Sequence, residues 1–190
     1  QITNTNTGAG NGQTLAIYTR VADGTETSSY TFTQNNSSVA YGYMMRFDGA
    51  SSVVLEATES TGNGATATAP ALTTSLRDTL IVRLIANRDG LTPNPGAGNI
   101  ITGHRNVTQD GGGDADGAAA YVNQPTAGSS GTANFTNSTG RWVTQTIGIE
   151  PSPVYHYEIT HAASHGTCSA TTPITIAARN SYGEAVAGYQ

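Results

Sequence analysis

The chain has 190 residues, of which 36% are hydrophobic and 11% charged, and its net charge at neutral pH is −5. That length suits one large β-domain or one domain with part of a second, and an acidic balance whose only basic side chains are eight Arg argues against a phosphate-binding surface and a nucleic-acid partner. No stretch approaches the roughly 18 apolar residues of a membrane span, and the single cysteine, Cys168, leaves no intrachain disulfide and no Cys-rich zinc motif.

The remaining polarity comes from Thr, Ser, Asn, Gln and Gly, which tolerate strands and turns better than helices. An all-β chain of antiparallel strands, in a sandwich or barrel, is therefore expected. Thr14 to Val21 alternates, with Leu15 and Ile17 on one side, and Asp23-Gly24 supplies a turn signal after it. Ser29 to Gln34 puts Tyr30 and Phe32 on one face of a second strand. Val39 to Phe47 forms a third and Ser52 to Glu56 a fourth. Ala69 to Asp78 is assigned a turn of helix at most. Thr79 to Asn87 (TLIVRLIAN) is the most apolar run and is expected at the centre of a sheet. Residues 88–140, rich in Gly, Asn, Thr and Ala and containing Thr92-Pro93-Asn94-Pro95-Gly96, are expected to be long loops with one or two short strands, at Ala118 to Val122 and Ser129 to Phe135. Arg141 to Ile149, with the only Trp, closes the series.

Pro151 and Pro153 mark a boundary, because neither supports a helix or a central strand. The expected division is a β-sandwich domain over 1–150, a Pro linker over 151–153 and a partial immunoglobulin-like β unit over 154–190. Within the last, Tyr155 to Thr160 and Ile174 to Arg179 are strand-like, and Asn180-Ser181-Tyr182-Gly183 is a turn.

Several constellations could carry chemistry. Asp110, Asp114 and Asp116, around Gly111 to Gly113, offer hard oxygen ligands suited to calcium, although the EF-hand spacing is absent. His156, His161, His165 and Cys168 could ligate a soft metal, but on a strand His156 and His161 would point to opposite faces. Ser164-His165, or Cys168 with Asp114, would make a nucleophile and base only if the fold joined them. Glu56 with Glu59, or Glu150 with Glu158, are equally explained as surface charge. Neither a metal nor another cofactor is expected, and the chain is taken to be no enzyme. Asn35, Asn36, Asn106, Asn134 and Asn137 begin Asn-x-Ser/Thr sequons. Tyr41, Tyr43 and Phe47 could form an aromatic strip for sugar rings, but core packing explains them better.

Three stretches resemble known families. LAIYTRVADGTETSSYTFT from Leu15 to Thr33, Ala69-Pro70-Ala71-Leu72-Thr73, and Arg141 to Ile147 match, in order and spacing, a β-sandwich module of phage tail-fibre-type and bacterial surface proteins. The resemblance covers residues 12–149 and implies a jelly-roll-like sandwich domain that lacks the family's first strands and the Gly-Trp-rich segment that family members carry just before a position like Gln1-Ile2. Tyr155 to His161, Thr167-Cys168 and Pro173 to Ile176 resemble the start of a domain in MshQ-like, pilus-associated proteins, and Ala178 to Tyr189 is similar to the opening of bacterial immunoglobulin-like repeats. Together these imply an extracellular, modular surface protein with no catalytic residues to transfer. Its expected partners are other copies of itself, joined by strand complementation with 154–190 as donor, or surface glycans. The N-terminal residues lack a signal-peptide pattern, so an export leader is expected to have been removed or to belong to a longer precursor.

Overall fold

The computed structural model describes residues 3–6, 13–33, 40, 42–88, 91–96, 98–109, 113–137, 140–153, 156–161, 174–180 and 182–186. The described residues form fifteen strands and no helix. In chain order these are β1 (Thr3–Asn6), β2 (Thr14–Ile17), β3 (Ala50–Glu56), β4 (Ser60–Asn63), β5 (Thr66–Ala69), β6 (Thr73–Thr74), β7 (Thr79–Asn87), β8 (Leu91–Gly96), β9 (Asn99–Gln109), β10 (Gly113–Gln124), β11 (Gly128–Ser129), β12 (Ala133–Asn137), β13 (Arg141–Pro151), β14 (His156–His161) and β15 (Ile174–Arg179). The chain separates into two compact units, one of residues 1–47 and 53–150 and one of residues 48–52 and 151–190.

The first unit is built on a six-stranded sheet in the order β3-β13-β7-β10-β9, with β4 also paired to β13. The β13–β7, β7–β10 and β10–β9 pairs are antiparallel. Thr79 to Asn87 is central as its composition requires: seven of its nine residues are buried, so Ile, Val and Leu fill both faces. β13 lies beside it and is buried along nearly its whole length.

Register defines one face of this sheet. Trp142, Thr144 and Thr146 of β13 stand opposite Asn87, Ile85 and Arg83 of β7, which stand opposite Asp116, Ala118 and Ala120 of β10. Over this face lies a three-stranded sheet, β5-β12-β8, whose Ala67, Ala69 and Phe135 form one buried cluster with Ile85, Ala118, Ala120 and Trp142. Three polar side chains on this face donate to nearby backbone carbonyls. The Thr144 hydroxyl donates to Thr68 O and the Thr146 hydroxyl to Pro70 O, both at 2.7 Å. The Arg83 guanidinium donates to Ser130 O at 3.2 Å and Gly131 O at 3.4 Å. Burial pushes the pKa of Arg83 below its ordinary value.

The Gly- and Thr-rich stretch 88–140 departs from expectation, because it holds five strands, of which β9 and β10 have 11 and 12 residues. Its signal is faint for a physical reason. Residues 115–120 of β10 are all buried, and between two layers the space suits alanine, a residue depleted in strands generally. β8 contains Pro93 and Pro95 and is an edge strand of its sheet, where a missing N–H is tolerated. Likewise, Ser129 to Phe135 is two strands rather than one.

Other departures run the opposite way. β2 ends at Ile17, and neither 18–33 nor 42–47 is strand. Burial nevertheless alternates over 42–47, with Tyr43, Met45 and Phe47 half-buried and Met44 exposed. The Tyr43 hydroxyl donates to Ala118 O at 3.3 Å, consistent with the core explanation of this strip; Tyr41 lies outside the described residues. Between Ala69 and Asp78 there is no helix; the short β6 pairs with β11, and Ser75 to Asp78 turn into β7.

Candidate assembly surface

In the second unit β14 and β15 make an antiparallel two-stranded sheet with His156 opposite Arg179, Ile159 opposite Ile176 and His161 opposite Ile174. Two-residue alternation sorts their side chains onto two unlike faces. One carries Tyr157, Ile159, Ile174 and Ile176, each 60–63% exposed. The other carries Glu158 and Arg179, ion-paired at 2.6 Å, with the Arg179 Nε–H donating to the same carboxylate oxygen at 2.8 Å. The chain then reverses at Asn180 and Gly183. The Asn180 side-chain oxygen accepts the N–H groups of Tyr182 and Glu184, and Gly183 takes φ +77°, a conformation natural to glycine. Val186 N–H returns to Ala178 O at 2.9 Å, covering that end of β15. Among the described residues, β14 pairs only with β15.

The first unit carries a second apolar surface, on the arm of residues 18–33, all of them exposed. Tyr18 and Phe32 pack with ring centroids 5.6 Å apart and planes at 48°. The Arg20 guanidinium lies 6.0 Å from the Tyr30 ring centre. Glu26 closes the arm, accepting from Arg20 Nε at 3.2 Å and from the Tyr30 hydroxyl. At the tip, Asp23 accepts the Thr25 hydroxyl at 2.6 Å and the Thr25 N–H at 2.9 Å. Those two bonds lower the Asp23 pKa from its ordinary value.

A shallow polar depression of about 330 Å³ lies along β4 and β13, lined by Thr61, Gly62, Asn63 and Arg141. The Trp142 ring packs directly against Gly62, and its buried Nε1 makes no hydrogen bond among the described residues.

The residues singled out for chemistry are largely dispersed. Asp116 is buried and its carboxylate accepts the Gly117 N–H at 2.8 Å. Asp114 stands two residues earlier on β10, opposite Thr108, and Asp110 lies outside the described residues. No group of three His, Cys, Asp or Glu suited to a metal occurs among the described residues. His156 and His161 are five apart on β14, hence on opposite faces, while Ser164, His165 and Cys168 lie outside the described residues. Glu150 is buried and accepts the Ser75 hydroxyl at 2.9 Å, Glu158 is held by Arg179, and Glu56 and Glu59 are exposed. Of the sequon asparagines, Asn134 is exposed on β12 and accepts the Thr68 hydroxyl at 2.9 Å. Asn106 and Asn137 lie on β9 and β12, and Asn35 and Asn36 lie outside the described residues. What residue types alone concealed is the exposure of the two apolar surfaces. Alternation in YHYEIT and ITIAAR predicts the faces but not whether anything covers them.

No helix among the described residues is long and apolar enough to cross a membrane. The sequence matches no family model, and neither a curated protein nor a solved structure matches it.

Proposed function

We propose that this chain is a structural subunit of an extracellular filament, pilus-like fibre or adhesin stalk, joined to other copies of itself through residues 154–190. The carrying observation is the β14–β15 sheet, which exposes Tyr157, Ile159, Ile174 and Ile176 on one face while its charged pair sits on the other. Two isolated strands are marginally stable in water, and an apolar sheet face gains stability only when covered. Among the described residues β14 pairs only with β15, and two-stranded sheets of this kind are extended by β-addition. The resemblance of residues 12–149 to a fibre-type β-sandwich module and of 155–189 to pilus-associated and immunoglobulin-like domains supports the same reading. On this view the work is mechanical, no catalytic step is assigned, and a jelly-roll-like sandwich carries the load. Negative-stain electron microscopy of the purified chain should show regular fibres, absent when residues 154–190 are deleted. Fibres unaffected by the deletion would remove this segment from the contact.

The exposed rings of Tyr18, Tyr30 and Phe32 favour a second reading, a carbohydrate- or surface-binding module on a fibre or cell-surface protein. Saturable binding on a glycan array by protein that stays monomeric would select it over the filament.

A further inference from the structure

We propose that Thr74 and Gln124 are the two halves of an internal ester cross-link, which ties the β6–β11 ribbon to the end of β10. The bond lies within the first unit and does not depend on the assembly reading above.

The two residues are 50 apart in the sequence, yet the Gln124 amide nitrogen donates to the Thr74 hydroxyl oxygen at 2.9 Å. Thr74 lies on β6, opposite Gly128 of β11, and Gln124 is the last residue of β10. Both are shielded from water, Thr74 being 3% exposed and Gln124 9%. The same amide nitrogen donates to Gly128 O at 2.8 Å, and the Thr74 hydroxyl donates to that carbonyl at 3.3 Å. With its proton directed at Gly128, the hydroxyl presents a lone pair to the amide. The other end of the amide is unmatched: Gln124 Oε1 is buried and accepts no hydrogen bond among the described residues. An amide serving only as a strut is expected to use both ends, because an orphaned buried acceptor costs stability.

A carboxylate is also at hand. Of the two buried carboxylates among the described residues, Asp116 faces Asn87 at one end of β7, whereas Gln124 faces Thr79 at the other. Glu150 belongs to this second end, since its neighbour Ile149 pairs with Leu80. It accepts the hydroxyl of Ser75, the residue after Thr74, at 2.9 Å.

In the step, Thr74 Oγ1 bonds to Gln124 Cδ and the Cδ–Nε2 bond breaks. The hydroxyl proton passes to Nε2, which leaves with the bonding electron pair as ammonia. Nothing is oxidised or reduced. Glu150, acting through Ser75, is a positioning residue that relays the proton. Holding hydroxyl and amide in contact replaces a bimolecular encounter, and burial keeps out the water that would hydrolyse the product.

The test is mass spectrometry of the purified full chain. Its mass should fall short of the sequence mass by one ammonia. Trypsin cuts the denatured chain after Arg46, Arg77, Arg105 and Arg141, so residues 47–77 and 106–141 should emerge as one joined species that hydroxylamine separates. Thr74→Val should give the two peptides apart and Thr74→Ser should restore the joined species. Glu150→Gln keeps an acceptor for Ser75 but removes the base, so the bond should form more slowly at unchanged circular dichroism; an unchanged rate would overturn the part given to Glu150. Separate peptides from the unaltered chain would overturn the cross-link, whatever the variants do, as would a joined species from Thr74→Val. Ammonia loss confined to residues 1–20 would place it at Gln1 and overturn it equally.

Discussion

Gly62 of β4 stands directly opposite Trp142 of β13, and the indole fills the space a side chain at 62 would occupy: a Cβ built there would lie 2.4 Å from Trp142 Cζ2. The ring therefore covers the backbone of the neighbouring strand on one side and joins the cluster around Phe135 on the other. Gly62→Ala should destabilise the first unit by about 1–3 kcal/mol, because the buried ring must leave its position. Urea unfolding followed by fluorescence of this sole tryptophan reads both the midpoint and the altered surroundings of the ring. An unchanged midpoint and spectrum would mean that the ring does not pack on Gly62.

Phe135 is fully buried between the three-stranded and six-stranded sheets. Its partners Ala67, Ala69, Ala118 and Ala120 are too short to collapse into the space it would vacate. Phe135→Ala should accordingly cost about 3–5 kcal/mol in chemical denaturation, and Phe135→Leu clearly less.

Arg83 holds the segment after β11 by donating to Ser130 O and Gly131 O. Arg83→Ala should cost about 2–3 kcal/mol, from unpaired carbonyls and lost packing of the side-chain stem. Arg83→Lys should recover only part of this, because an ammonium lacks the planar fork. Hydrogen exchange at Ser130, whose N–H bonds to Leu72 O at 2.8 Å, should speed up in both variants.

At the tip of the arm, Asp23 has a pKa lowered by the Thr25 hydroxyl and then by the Thr25 N–H. A depressed carboxylate pKa contributes above the unfolded value and is lost as pH falls through the folded one. The Thr25 amide resonance should therefore hold steady at neutral pH and titrate with a midpoint below the ordinary aspartate value. A transition above that value would show that these bonds do not form in solution.

The Glu158–Arg179 pair is close but partly exposed, so Glu158→Gln should shift thermal stability by no more than about 1 kcal/mol, and less at high salt. Assembly should survive this change, since the pair lies on the face away from Ile159 and Ile176. Loss of fibres in Glu158→Gln would contradict that placement.

Several elements were legible from residue types. Thr79 to Asn87 announces a strand buried on both faces because branched apolar side chains occupy both parities, and Arg141 to Ile149 does so nearly as well. The alternation of Tyr157 and Ile159 with Glu158, and of Ile174 and Ile176 with Thr175, predicts the two-faced hairpin. β10 was legible only over Ala118 to Val122 and not in its full length, since its buried Ala115, Ala118, Ala119 and Ala120 carry little strand propensity and owe their place to the layers on either side. β8 was hidden by its two prolines, which an edge accepts and a centre does not. The arm misled in the other direction, because SYTFT has the alternation of a strand yet pairs its rings in the open without forming one.

From the sequence alone follow the all-β class, the acidic and lysine-free surface, the most apolar central strands and the parity of each strand's side chains, because these depend on composition and two-residue periodicity. Tertiary structure alone decided which parity is covered. Phe135 disappears beneath a second sheet, whereas Phe32, Ile159 and Ile176 remain in water. Burial is a property of what packs against a face, and no local pattern encodes that.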